Sequence, residues 1–64
     1  MTPTEFRAIR HALGLSAQGM ARAIGVSDGR TVRRWEAGDR DIPGPAIKLM
    51  RLLKRGKIKP KDLD

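Results

Sequence analysis

Arg30, Arg33 and Arg34 are spaced i, i+3 and i+4, so a helix that contains them carries all three guanidinium groups on one side. At roughly 100° per residue, Val32 and Trp35 fall on the other side, with Glu36 beside them. A helix with one apolar face and one arginine face can be held by a protein core while its outer face reads a polyanion. Arginine suits that role because its fork of N–H groups can bond guanine O6 and N7 together. These three arginines are therefore the candidate base-contacting residues.

Charge and composition point to the same class of partner. The chain of 64 residues holds 14 Lys and Arg against 7 Asp and Glu, a formal net charge of +7 with a sequence pI near 11.2. Such a balance suits nucleic acid, where neutralised phosphates release counterions. The absence of cysteine excludes disulfides, thiolate chemistry and cysteine-ligated zinc. No run is long enough for a membrane span and the start lacks the apolar stretch of a signal peptide, so a cytoplasmic protein is expected. His11 has no nucleophile or carboxylate at a telling spacing, Glu36 has no catalytic partner, and Asp39-Arg40-Asp41 interposes an arginine between its carboxylates. An enzyme, a metal site, a cofactor and a small-molecule ligand are accordingly not expected.

Four helices would position the arginine face. Thr2-Pro3-Thr4-Glu5 predicts an N-cap, a first-turn proline and a capping box, with Phe6, Ile9 and Leu13 inward and Gly14 as terminator. Ser16 caps a second helix, Ala17 to Ile24, whose inward residues are Met20, Ala21 and Ile24. Gly19 costs that helix about 1 kcal/mol relative to alanine, which suggests a close backbone approach there. Gly25 ends the helix and Val26 plugs the turn. The third helix starts at Asp28 and closes at Gly38. After the polar loop, Ile42 is placed to anchor its end, and Pro43-Gly44-Pro45 opens a fourth helix to about Lys54. The apolar residues of that helix span an arc of roughly 220°, wider than one small core requires. The expected organisation is a binding domain over residues 1–56 and a short basic tail over 57–64.

The order and spacing of Leu13-Gly14-Leu15-Ser16, Ala21, Ile24-Gly25-Val26-Ser27 and Thr31-Val32-Arg33-Arg34-Trp35-Glu36-Ala37-Gly38 resemble the Cro/C1-type (XRE-type) helix-turn-helix repressor family over about residues 4–54. The resemblance implies an all-α, compact four- to five-helix bundle of the lambda-repressor-like kind. Its third helix would enter the major groove while the second braces it across the backbone. The family usually places glutamine directly after the serine or threonine that caps the second helix; here that position is Ala17, and Gln18 follows. The turn also carries one extra residue, so Asp28 rather than Ser27 caps the third helix. Gly29 then takes the position where the family often has a base-contacting side chain, and is added to the candidate base contacts. Ser16, Ala17, Gln18, Arg22, Thr31 and Arg40 are the candidate phosphate contacts, those at the start of the second helix through backbone N–H groups. The resemblance also implies a partly buried ion pair between Arg10 and Glu36.

Trp35 is expected in the core rather than stacked on a base, since aromatic residues make up only 3% of the chain. A double-stranded operator, read as an inverted repeat by a homodimer, is the expected partner, with Ile47, Leu52 and Ile58 as the candidate dimer contacts. Small stand-alone members of the family include phage-type repressors, antitoxins that silence their own operons and anti-CRISPR-associated autoregulators. The alternative is a protein-interaction or membrane-surface module that uses the basic fourth helix, although its proline-rich start and inward Met50 and Leu53 argue for a core role.

Overall fold

Local chemistry sets each helix boundary in the computed structural model, which describes residues 1–56. Helix α1 spans Pro3–Ala12. Thr2 Oγ1 accepts the Glu5 N–H at 3.1 Å, and Glu5 Oε1 accepts from the Thr2 N–H at 3.4 Å, a reciprocal box that occupies two otherwise unpaired donors. Helix α2 spans Ala17–Ile24, with Ser16 Oγ accepting the Gly19 N–H at 3.0 Å. Helix α3 spans Gly29–Ala37, capped by Asp28, whose Oδ1 accepts from the Arg30 N–H at 2.8 Å and the Thr31 N–H at 3.4 Å. Helix α4 spans Gly44–Lys54; no side chain caps it, and prolines in and before its first turn set its entry instead. The described chain is thus all-helical, a small four-helix bundle with no fifth helix among the described residues.

The turn between α2 and α3 depends on Gly25, which sits at φ 81°, a left-handed conformation that residues with a Cβ adopt only at a cost. That conformation lets the Val26 N–H reach back to the Ala21 carbonyl at 2.9 Å and turns the Val26 side chain onto the core.

Phe6, Met20, Val32 and Met50, one from each helix, are fully buried and form the centre of the core. Burying side chains of this size stabilises the fold by about 1.5–3 kcal/mol each relative to exposure. Trp35 meets Phe6 edge-on, ring centroids 5.7 Å apart at 76°, which ties α3 to α1. Ile9, Ala46 and Leu53 complete the inward stripes of α1 and α4, and Ile42 packs against the cluster from the loop. On α2 the buried residues are Ala17, Met20, Ala21 and Ala23, whereas Ile24 is only half-buried. Two alanines therefore take core places that the sequence reading did not assign. Among the described residues, no helix is long and apolar enough to cross a membrane.

Candidate nucleic-acid interface

Helix α3 is divided as its sequence requires. Val32 and Trp35 are buried, Thr31 is half-buried, and Arg30, Arg33 and Arg34 are exposed. The ion pair found among the described residues is Arg10–Glu36. Arg22, Arg30, Arg33, Arg34 and Arg40 are all exposed and have no carboxylate partner among those residues. Their charge is therefore available to an external anion.

The N-termini of α2 and α3 meet. Gln18 Oε1 accepts the Gly29 N–H at 2.9 Å, so a side chain from the first turn of α2 satisfies a free donor at the first turn of α3. The same carboxamide keeps its NH2 group as a donor, and Gln18 itself is exposed. Ser16 takes the Gly19 N–H on its side chain and the Met20 N–H on its carbonyl. The N–H groups of Ala17 and Gln18 precede the helix's own bonding pattern, and with the positive end of the helix they form a donor set suited to phosphate.

Gly29 does not belong among the base contacts. It is buried, and a Cβ placed on it would lie 2.9 Å from the Gln18 nitrogen and 3.2 Å from Ala17 C and Gln18 Cα, all backbone atoms. Glycine fits there because the first turn of α3 packs against the backbone of α2 and leaves no room for a Cβ. Gly19 is corrected in the opposite sense: a Cβ there would meet only Ser16 Oγ at 3.2 Å and the Leu15 side chain, so no second helix backbone requires it. The Ala17 side chain lies in the core, which confines any contact it makes with phosphate to its backbone N–H.

Glu36 anchors the far end of α3. Arg10 Nε donates to Glu36 Oε2 at 2.8 Å and Nη2 to Oε1 at 2.9 Å, a two-pronged pair, while Nη1 donates to the Leu15 carbonyl at 3.0 Å. The bond to Glu36 holds the Arg10 guanidinium above its ordinary pKa; burial opposes this and the Coulomb attraction of Glu36 adds to it. One arginine thus links α1, the turn after it and the last turn of α3. Trp35, 3% exposed, has no face free for a base.

Ile47 and Leu52 are half-buried on α4, in company with Lys48, Arg51 and Arg55. Ile58 and the 57–64 tail lie outside the described residues. No protein-family model matches the chain, and no curated protein matches it.

Proposed function

We propose that the protein is a sequence-specific regulator of transcription that binds double-stranded DNA in the cytoplasm. It inserts the outer face of α3 into the major groove, as a small repressor or autorepressor of phage or mobile-element type would. The observation that carries this reading is the placement of Arg30, Arg33 and Arg34. Three unpaired guanidinium groups project from a helix whose opposite face, Val32 and Trp35, is locked in the core. A reading helix needs that combination, because base contacts hold their register only when the helix cannot roll. The donors at the start of α2 and the exposed Arg22 and Arg40 supply phosphate contacts that set orientation without reading sequence. One α3 spans only a few base pairs, so the chain binds as a symmetric dimer on an inverted repeat, with half-sites about 34 Å apart. The burial of Ala46, Met50 and Leu53 commits the inner face of α4 to the core, which supports the DNA reading over an interaction module built on that helix.

The test uses a duplex selected by the wild-type protein from a randomised library, compared with a scrambled duplex at two salt concentrations. Arg30→Ala and Arg34→Ala should lose affinity for the selected duplex, each by about 1–3 kcal/mol, and lose much less on the scrambled one. Arg40→Ala should weaken both alike and flatten the salt dependence by about one unit of slope. Equal losses on both duplexes for Arg30→Ala and Arg34→Ala would show that these arginines hold the backbone only. Failure of the library to yield any preferred sequence would remove the sequence-specific reading.

A further inference from the structure

Two shallow surfaces combine apolar and charged side chains, and their charges differ in kind. One runs along the outer side of α4 and holds Ile47 and Leu52 with Lys48, Arg51 and Arg55. Among the described residues it carries three cations and no carboxylate, so two copies of the chain set face to face there would crowd like charges together. The other is the groove between α1 and α4, built from Ile9, Leu13 and Leu53, with Ala8 and Ala12 on its α1 side and one residue of each sign, Glu5 and Lys54.

We propose that two copies of this chain meet at the α1–α4 groove across a two-fold axis, with Glu5 of each copy facing Lys54 of the other. This rests on the dimeric reading above and locates its interface. A two-fold contact must be self-complementary, since every residue pair occurs twice with the roles exchanged. A groove with one carboxylate and one ammonium meets that condition, and the cation-lined face of α4 does not. Glu5 engages Oε1 in the Thr2 cap and keeps its second carboxylate oxygen for a partner. Ala8 and Ala12 are exposed and one turn apart, so a second helix can come close without displacing a large side chain. The arrangement also leaves α3 free. Phe6 and Arg10 bind α3, and Ala8 and Ala12 lie roughly 160° around the α1 axis from them. The net charge of +7 opposes association in free solution, so the dimer tightens when DNA neutralises that charge. Ile47 and Leu52, expected as dimer contacts from the sequence, are thereby left out of the interface.

The chain has no cysteine, so one introduced thiol reports on the contact directly. Ala8→Cys, Ala12→Cys and, on the outer side of α4, Lys48→Cys are oxidised alone and on the duplex selected in the preceding test. Sedimentation of Lys54→Glu and Lys54→Arg accompanies them, with helix content recorded for each. A crosslinked dimer from Ala8→Cys or Ala12→Cys but not from Lys48→Cys is expected. Lys54→Glu should weaken dimerisation about tenfold through two symmetric repulsions, and Lys54→Arg should preserve it. Crosslinking through Lys48→Cys instead would overturn the proposal, as would a Lys54→Glu dimer as tight as wild type or a strictly one-to-one complex with DNA. The two readings fail separately. Dimers that crosslink through α1 without preferring any duplex remove the DNA reading alone. A two-to-one complex on an inverted repeat that never crosslinks through α1 removes this interface alone.

Discussion

Removing one partner of the Arg10–Glu36 pair strands the other where little water reaches it, because the two side chains are 13% and 8% exposed. The pair itself is not a large net source of stability, since ion desolvation offsets much of its attraction; breaking it is what costs. Glu36→Gln leaves the Arg10 charge facing a neutral amide and should destabilise the fold by about 3 kcal/mol. In a domain of this size that lowers Tm by about 10 °C or more, measured by circular dichroism at neutral pH. A Tm within a degree or two of wild type would mean the pair contributes orientation only. The pH dependence has a definite sign. Because Glu36 raises the folded-state pKa of Arg10, the arginine's share of the stabilisation is complete below the unfolded guanidinium value. It is lost only as pH rises through the folded value in strong alkali. Titration from neutral to mildly basic pH should therefore leave this contribution unchanged.

At the scale of elements, the joint between α2 and α3 governs how the arginine face is presented. Gly29→Ala would ordinarily favour a helix by about 1 kcal/mol. Here the added methyl would lie 2.9 Å from a backbone nitrogen that cannot turn aside. Overpacking of this kind costs about 1–3 kcal/mol, so the clash wins, and the variant should melt lower and bind the selected duplex less well. A variant more stable than wild type would show that the helices can part freely. Gln18→Glu separates structure from binding at the same joint. The carboxylate still accepts the Gly29 N–H and lies at two positive helix ends, which raises stability by about 0.3–1 kcal/mol. It also sets a negative charge where phosphate should bind and removes the amide donor, so affinity for any duplex should fall while Tm holds or rises. Unchanged affinity would remove Gln18 from the phosphate contacts.

The same joint shows what could be read in advance. The caps at Thr2, Ser16 and Asp28 and the stop at Gly25 were legible because a cap is decided within a few residues of chain. Val32 and Trp35 opposite the arginines were legible from helical periodicity. The partnership of Gln18 with Gly29 was not, because a glycine's sequence neighbours do not say which distant backbone lies against it. In the sequence each residue stands alone, eleven positions from the other, and only the fold brings the Gln18 side chain to the first N–H of α3. The burial of Ala17 and Ala23 is hard to read for a related reason, since a methyl group adds little to an apolar stripe and periodicity alone does not mark it as inward.

For the molecule as a whole, a short chain with a high positive charge has a small core and considerable self-repulsion, so binding a polyanion should stabilise it measurably. The described core draws on all four helices, and α3 is joined to α1 by the Phe6–Trp35 contact and the Arg10–Glu36 pair. Its arginine face therefore loses register if the bundle opens, and DNA should bind the folded form in preference. A ligand at a hundred times its Kd adds about 2.7 kcal/mol to the folded state. At about 4–8 °C per kcal/mol for a domain of this size, Tm should rise by roughly 10–20 °C. The selected duplex should give the larger shift at moderate salt. The scrambled duplex should give a smaller one, and the shift with scrambled DNA should vanish first as salt is raised, since its binding is almost wholly counterion release. Equal shifts from both duplexes at every salt concentration would reduce the protein to a non-specific polyanion binder. No shift at low salt would mean that the arginine face of α3 is a solvated surface, and that the charge of this chain serves something other than DNA.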